Sequence, residues 1–205
     1  MSISFTLKTA LVVIDVQHGF KLEPHCTMEV HPDLHSVVAN IASTIAAFRA
    51  ASLPVIHIQH ASLQDHPLNP NLCPPGFCVM PEAAPVGDEV VFVKNAHSGF
   101  IGTGLEAHLR ASQIDTLVIL GLTTSHCVST TTRMAHDLGW PVFLPRDGTA
   151  MFERAAAPGF NKQFDARTMH EVALAELHEE FATVVTTAEI IAGLKASIPH
   201  AVRID

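Results

Sequence analysis

Short apolar segments rich in β-branched residues alternate with segments of helical periodicity along most of this chain. Such alternation is typical of β-α-β units built around a parallel sheet. We predict strands at residues 10–16, 54–59, 89–94, 116–121, 141–145 and 182–186. We predict helices at residues 33–51, 103–111, 125–138, 168–180 and 187–196. Because several strands are apolar on both faces, we expect a three-layer α/β/α, Rossmann-like fold, with a mostly parallel sheet of about six strands and helices on both faces.

Length and composition indicate a globular protein. The chain has 205 residues, of which 48% are hydrophobic and 16% are charged, and this is enough apolar material for one core. We expect a single domain that spans residues 1–205. The formal net charge of −8 argues against nucleic acid or an anionic membrane as a partner, because both attract cationic surfaces. The remaining expectation is a small-molecule substrate.

The sequence also bears on the compartment. No apolar stretch reaches the roughly 20 residues that cross a bilayer, and the apolar run near the start contains Asp15. We expect a cytoplasmic protein. Cysteines in that compartment are usually free thiols, so we interpret Cys26, Cys73 and Cys78 as structural or incidental, with no assigned role.

Three chemically active side chains follow the ends of predicted strands. Asp15 ends the segment ALVVID, Lys94 ends VVFVK, and Cys127 follows TLVILG after a short turn that leads into a helix. In an open parallel sheet, the carboxyl ends of the strands form the ligand crevice. The topology therefore predicts that these three side chains converge.

The three residue types suit nucleophilic catalysis. A helix N-terminus and a nearby cation such as Lys94 lower the pKa of a thiol, and free backbone amides there can hold an oxyanion. Asp15 can take the proton of Cys127 and pass it to a leaving group. Each residue also has a structural interpretation, as a salt bridge, a loop cap or a packed thiol. Their shared position at one sheet edge favours catalysis.

Longer stretches of the sequence are recognisable. The chain contains, in order, ALVVIDVQHGF, VFVKNAHSGFIGTGLEAHL, LVILGLTTSHCVSTTTRMAHDLG and VFLPRDGTA, followed by MHEVALAEL and FATVVTTAEII. With these stretches it resembles the isochorismatase-like cysteine hydrolase superfamily, which includes nicotinamidases, N-carbamoylsarcosine amidase and streptothricin hydrolase. The resemblance runs from residue 10 to about residue 191. It implies a three-layer α/β fold and an Asp-Lys-Cys triad formed by Asp15, Lys94 and Cys127.

The resemblance also implies the surroundings of the nucleophile. A cis peptide bond lies just upstream of the nucleophile in the family, which here would be the bond between Leu122 and Thr123. The backbone amides of Thr123 and Cys127 would then form the oxyanion hole.

Four further positions are implied to bind substrate. Gln17 and Phe20 follow the first strand and would edge the pocket. Phe100 takes the place of the aromatic residue in the family's SAF-like segment, and His126 directly precedes the nucleophile. Core packing stays an alternative for Phe20, and a surface position stays an alternative for His126.

One departure from the family concerns metals. Metal-using nicotinamidases carry an Asp-x-His pair after the second strand and a further His, which suit zinc or manganese. This chain reads VIHIQHASLQDH, with His60 near the Asp position and Ser62 near the His position. Strand alternation sends His57 and His60 to opposite faces. We expect no metal and no other cofactor, although binding by His57, His60 or His66 stays open.

The presence of Cys127 distinguishes between the reactions known in the resembled superfamily. Family members that split the vinyl ether of isochorismate often lack it, so Cys127 favours covalent chemistry. We expect a hydrolase of the amidohydrolase type that cleaves a non-peptide C–N bond, in an amide, imide, carbamate or lactam, through a thioester acyl-enzyme. The alternatives are isochorismatase-type ether hydrolysis, with Cys127 as a bystander, and a non-catalytic oligomeric family member. The sequence does not identify the substrate.

Two long segments, residues 61–88 and 151–165, have no clear periodicity. Segments of this length in a compact domain usually form lids, binding loops or subunit contacts. Many members of the resembled superfamily are homo-oligomers, so we expect a dimer or a larger assembly.

Overall fold

The central element is a seven-stranded sheet in which every pairing is parallel. The structure, a computed structural model, describes residues 3–21 and 34–198. Its strands are β1 (Thr9–Ile14), β2 (Val55–His60), β3 (Val90–Lys94), β4 (Thr116–Leu122), β5 (Val142–Pro145), β6 (Thr149–Ala150), β7 (Arg154–Ala155), β8 (Gln163–Phe164) and β9 (Thr183–Val185). The sheet order is β3-β2-β1-β4-β5-β9, with β6 beside β4, while β7 and β8 form a separate antiparallel hairpin.

Helices connect the strands and cover both faces. They are α1 (Leu34–Ala50), α2 (Pro74–Phe77), α3 (Leu105–Ala111), α4 (Ser129–Asp137), α5 (Ala166–Leu177) and α6 (Thr187–Ser197). The predicted three-layer α/β/α fold is confirmed, and each predicted helix and strand is present within a few residues. The short strands β6, β7 and β8 and the short helix α2 were not predicted, because segments of two to four residues carry too little periodicity.

Strand alternation explains the two cores. Leu11 and Val13 of β1 point to the side covered by α1 and α6. Val12 and Ile14 point to the side covered by α3, α4 and α5. Burial of one such aliphatic side chain contributes about 1.5–3 kcal/mol, so a strand apolar on both faces is stable only between two helical layers.

The segments without periodicity have local structure of their own. Residues 61–88 contain α2, and the adjoining bridge between Gln17 and Val79 ties this segment to the end of β1. Residues 151–165 contain the β7–β8 hairpin. Cys73 and Cys78 are free thiols, whereas Cys26 lies outside the described residues. Within residues 3–21 and 34–198, no helix is both long enough and apolar enough to cross a membrane.

Candidate active site

The three side chains predicted to converge do so at the carboxyl edge of the sheet. Asp15 follows β1, Lys94 ends β3 and Cys127 follows β4. Their exposed fractions are 0%, 1% and 7%. The Nζ atom of Lys94 lies 2.8 Å from Oδ2 of Asp15 and 3.3 Å from Sγ of Cys127. An ammonium group therefore joins a carboxylate and a thiol in a buried cluster.

Close packing of two strand ends brings Asp15 and Cys127 together. Gly121, near the end of β4, has φ of 125°, and a Cβ built there would collide with the backbone oxygen of Ile14. Only glycine combines this conformation with this approach. Asp15 has φ of 51°, in the left-handed region, which Asp tolerates better than most residues. The site thus begins directly beyond two strands in backbone contact.

Cys127 lies in a π-helical turn, Thr124–Val128, that precedes α4. The Val128 amide donates to the Thr123 carbonyl at 3.3 Å, which is the five-residue spacing of a π-helix. Such turns are frequent at functional sites. The Thr124 hydroxyl lies 3.1 Å from Oγ1 of Thr149 and 2.8 Å from Nδ1 of His170. These contacts anchor the turn to β6 and α5.

Of the two residues expected to form the oxyanion hole, Thr123 directly precedes this turn and Cys127 lies within it. The peptide bond between Leu122 and Thr123 is cis, and Thr123 is buried. The Thr123 hydroxyl lies 3.2 Å from Nδ1 of His126. The Thr131 hydroxyl donates to the Cys127 carbonyl at 2.6 Å.

His60 completes the surroundings of Lys94. Its Nδ1 lies 3.0 Å from Nζ, and because an ammonium group can only donate, Nδ1 must accept and carry no proton. Burial, followed by the charge of Lys94, lowers the pKa of His60 to about 4. Asp15, Cys127 and His60 thus offer one acceptor to each of the three N–H groups of Lys94.

The pKa values of Asp15 and Cys127 both differ from those of free side chains. Burial raises the pKa of Asp15 above its ordinary value, and the charge of Lys94 only partly offsets this. Burial, followed by the charge of Asp15, also raises the pKa of Cys127, and Lys94 again acts in the opposite direction. The expected lowering by the helix end and Lys94 is therefore outweighed by desolvation, which disfavours the charged form.

One oxygen of Asp15 is available to accept a proton. The Oδ1 atom is buried and has no hydrogen-bond partner among the residues that the structure describes, whereas Oδ2 accepts from Lys94. A buried acceptor without a partner costs roughly 1–3 kcal/mol. This atom can therefore accept a proton while Oδ2 keeps its hydrogen bond from Lys94.

The histidines considered for a metal are separated. His57 lies 2.9 Å from Glu89, and Glu89 pairs with Arg49 at 2.7 Å. His60 instead joins Asp15 and Cys127, and their ligand atoms all lie within 4.8 Å of one another. Each of these atoms is within 3.3 Å of Nζ of Lys94. Because the ammonium already lies among the three ligands, this group does not fit a metal unless Lys94 leaves.

Two residues expected to bind substrate make close contacts within the protein. Gln17 is buried, and its side chain hydrogen-bonds the backbone of His60 and Phe77, so it joins β1, β2 and α2. Phe100 stacks on Trp140 with ring centroids 5.8 Å apart and belongs to one core. Substrate binding by Gln17 and Phe100 stays a prediction.

Phe20 keeps both of its interpretations. Its ring stacks on Phe152 at a centroid distance of 6.1 Å, and it packs against the core on the α1 side. Phe152 belongs to the segment before β7, whose neighbour Met151 accepts a hydrogen bond from the Ser125 hydroxyl at 3.0 Å. Phe20 thus contacts a segment that also touches the π-helical turn of Cys127.

Sequence reasoning missed two residues at the outer side of Cys127. The exposed His97 has its Nδ1 3.6 Å from Sγ of Cys127. Arg154 of β7 lies against His126, with Nη2 3.0 Å from Nε2. The position of His97, three residues after Lys94 at a strand end, was an available signal. Arg154 had none, since it lies in a segment without periodicity.

Comparisons with known proteins agree on one family. A family model described as an isochorismatase domain matches residues 9–189. The uncharacterised isochorismatase family protein YrdC of Bacillus subtilis is 40% identical over 191 residues, covering 90% of this chain and 95% of YrdC. A solved hydrolase assigned to the isochorismatase family, from Chromobacterium violaceum, has a TM-score of 0.84 and 34% identity, covering 96% of this chain and 98% of its own.

Three similar proteins carry the names of reactions. Streptothricin hydrolase of Streptomyces noursei is 30% identical over 181 residues, covering 88% of this chain and 63% of the enzyme. Ureidoacrylate amidohydrolase RutB of Agrobacterium fabrum is 27% identical over 172 residues, covering 69% of this chain and 75% of RutB. The structure of N-carbamoylsarcosine amidase from Thermoplasma acidophilum has a TM-score of 0.67 and 27% identity, covering 87% of this chain and 96% of the amidase.

Proposed function

This chain belongs to the isochorismatase family of hydrolases, and from that premise we propose that it cleaves a carbon–nitrogen bond of a small molecule with Cys127 as covalent nucleophile. The observation that carries the proposal is the bridging position of Lys94, whose Nζ lies 2.8 Å from Asp15 and 3.3 Å from Cys127. Similar proteins named as an amidohydrolase and an amidase support the choice of bond.

The first half of the reaction forms a thioester. Sγ of Cys127 attacks the substrate carbonyl carbon while its proton passes to Asp15. The backbone amides of Thr123 and Cys127 stabilise the oxyanion. When this intermediate collapses, the C–N bond breaks, and the protonated Asp15 gives its proton to the departing nitrogen.

The second half releases the acid. Water attacks the thioester carbonyl and gives a proton to Asp15, and the second tetrahedral intermediate collapses with Cys127 as leaving group. The proton on Asp15 then returns to sulfur. The raised pKa of Asp15 supports this double role, because a carboxylate of ordinary pKa is a weaker base.

Lys94 serves both charge states of the site. Before attack it pairs with the Asp15 carboxylate, and once Asp15 is protonated, it stabilises the charge that develops on sulfur. Its Nζ contacts both groups at once, so no side-chain movement is needed between the steps. Such preorganisation is the main source of electrostatic catalysis.

The test is an ammonia-release or amine-release screen over small amides, imides, carbamates and lactams. We expect Cys127→Ala to lower turnover by about 10³-fold or more and the wild-type enzyme to accumulate an acyl adduct on Cys127 that mass spectrometry detects. Cys78→Ala is the matched control, because that exposed thiol lies outside the site. Full turnover in Cys127→Ala would refute the proposal.

The screen also separates the alternatives. Hydrolysis of isochorismate that survives Cys127→Ala would assign ether hydrolysis with a bystander cysteine. Inactivity on every compound would favour a non-catalytic role. The expected cytoplasmic location, the homo-oligomeric state and the single-domain organisation stay predictions.

A further inference from the structure

A group of polar rings surrounds the outer side of the nucleophile. His97 contacts Sγ of Cys127 through Nδ1 at 3.6 Å, and its ring lies 5.9 Å from that of His126, centroid to centroid. Arg154 lies on the far side of His126, with Nη2 3.0 Å from Nε2 and 3.5 Å from Nδ1. The ring of His126 therefore lies between the Arg154 guanidinium and His97, the residue that contacts the sulfur of Cys127.

The arrangement makes Arg154 the cation and leaves His126 neutral. A guanidinium can only donate, so Nε2 of His126, the nearer nitrogen, accepts. The proton is then on Nδ1, where it can reach the Thr123 hydroxyl at 3.2 Å. Burial, followed by the charges of Arg154 and His97, lowers the pKa of His126 to about 4. His126 is therefore uncharged, and it orients the guanidinium while Arg154 keeps its full positive charge.

The charge of Arg154 is not compensated within the described part of the chain. Arg154 is exposed and forms no ion pair with any carboxylate among residues 3–21 and 34–198. The Asp15 carboxylate is already paired with Lys94 deeper in the site. Among the described residues of this chain of net charge −8, Arg154 is thus a cation without a carboxylate partner.

The local backbone holds Arg154 in place. Arg154 and Ala155 of β7 pair with Phe164 and Gln163 of β8, and just before this hairpin the buried Met151 accepts the hydrogen bond from Ser125. The guanidinium thus extends from a paired strand next to a buried anchor. Such support reduces the entropy that is lost when a ligand is bound.

We propose that Arg154, oriented by His126, binds a carboxylate of the substrate, so that the enzyme acts on small amides that carry a carboxylate a short distance from the scissile carbonyl. This inference rests on the proposed function. Arginine suits a planar carboxylate, which its parallel N–H groups can bind in a bidentate manner. A single guanidinium beside a neutral ring balances one negative charge, which fits a carboxylate better than a phosphate dianion.

The kinetic test uses matched substrates. A series of ω-carboxy amides (malonamate, succinamate and glutaramate) is compared with neutral isosteres in which a methyl ketone replaces the carboxylate. We expect wild type to prefer a carboxylate amide. Arg154→Gln should lower that preference in kcat/KM by about 10- to 100-fold, the effect typical of a hydrogen bond to a charged group. The change should appear mainly in KM, because Arg154 is remote from the reacting atoms.

Lys162→Gln is the matched control. Lys162 precedes β8, and its Nζ lies 4.5 Å from the Phe164 ring centre, so this variant removes the same charge from the same hairpin. We expect its preference to stay within about twofold of wild type, as is usual for a substitution away from a binding contact. An equal loss of preference in both variants would overturn the proposal, because it would show that the overall positive potential of the hairpin attracts the substrate and that Arg154 makes no specific contact. Unchanged preference in Arg154→Gln would overturn it outright.

A binding measurement separates the two proposals. Calorimetry with the Cys127→Ala variant compares succinamate with its neutral isostere, with and without Arg154→Gln. Tighter binding of succinamate that requires Arg154 supports the subsite even if no amide is turned over, which would refute only the proposed function. Turnover of amides without any preference for a carboxylate in binding or kinetics would refute only the subsite.

Discussion

At the scale of single residues, the chemistry depends on which partner each polar atom has. The three N–H groups of Lys94 face an oxygen of Asp15, the sulfur of Cys127 and a ring nitrogen of His60. This arrangement places the ammonium between the Asp15 carboxylate and the Cys127 thiol. It also makes His60 a positioning residue, because its unprotonated Nδ1 supplies the third acceptor.

A pH experiment tests this role of His60. Its pKa is about 4 in the folded protein and near 6.5 in an unfolded chain. As the pH falls from about 6.5 to about 4, the unfolded state binds the proton first, so stability falls. The loss attributable to His60 is on the order of 1–3 kcal/mol.

The measurement is chemical denaturation at pH 7 and pH 4.5. Asn supplies an acceptor oxygen near the Nδ1 position but does not titrate, so His60→Asn should lose less stability than wild type between these pH values. His136→Gln, at an exposed histidine next to Asp137, is the control and should behave as wild type. Equal losses in all three proteins would contradict the assignment.

At the scale of elements, the site depends on how strand ends and turns approach one another. Gly121 lets β4 contact β1, the π-helical turn follows at once, and the hairpin of β7 and β8 brings Arg154 to the outer side. Strands β1 and β4 were predicted from apolar composition at residues 10–16 and 116–121. The pairing of Gly121 with Ile14 was not, because it depends on register.

Two glycine substitutions test the approach of β4 to β1. Gly121 and Gly139 both have positive φ, but a Cβ would collide with Ile14 only at Gly121, and nothing lies within 4 Å at Gly139. Gly139→Ala should cost about 1–2 kcal/mol from backbone conformation alone.

Gly121→Ala should cost clearly more, because the strand ends must also separate, and the remaining folded protein should lose activity. Thermal unfolding and an activity assay measure both effects. Comparable stability of the two variants would show that the close approach is unimportant.

At the scale of the whole molecule, one sheet separates two apolar layers. Phe48 of α1 is fully buried in the layer with α6, and Leu109 of α3 is fully buried in the other. Since both layers pack on the same strands, we expect them to unfold together. The predicted single domain then corresponds to one cooperative unit.

Phe48→Ala tests this cooperativity. It should lower the free energy of unfolding by about 3–5 kcal/mol. The sole tryptophan, Trp140, lies in the opposite layer. Its fluorescence should therefore shift in the same transition as the far-UV circular dichroism. Separate transitions would indicate that the layers unfold independently.

The assembly state is a second property of the whole molecule. We expect light scattering to give a mass of at least twice the 22.0 kDa of one chain, as predicted from the resemblance to homo-oligomeric proteins. The measurement should be repeated over a range of protein concentrations, because weak association depends on mass action. A mass near 22.0 kDa throughout would contradict the prediction.

The sequence by itself determined the fold class and the strand ends at which reactive side chains occur. Periodicity is a local property, so the alternation of strands and helices and the positions of Asp15, Lys94 and Cys127 could be read directly. Only the tertiary structure decided that His60 contacts Lys94, that Arg154 lies against His126, and that Gln17 and Phe100 are used in packing. It also decided that burial raises the pKa of Cys127. Contacts and desolvation depend on segments far apart in sequence, whose register and distance no local pattern encodes.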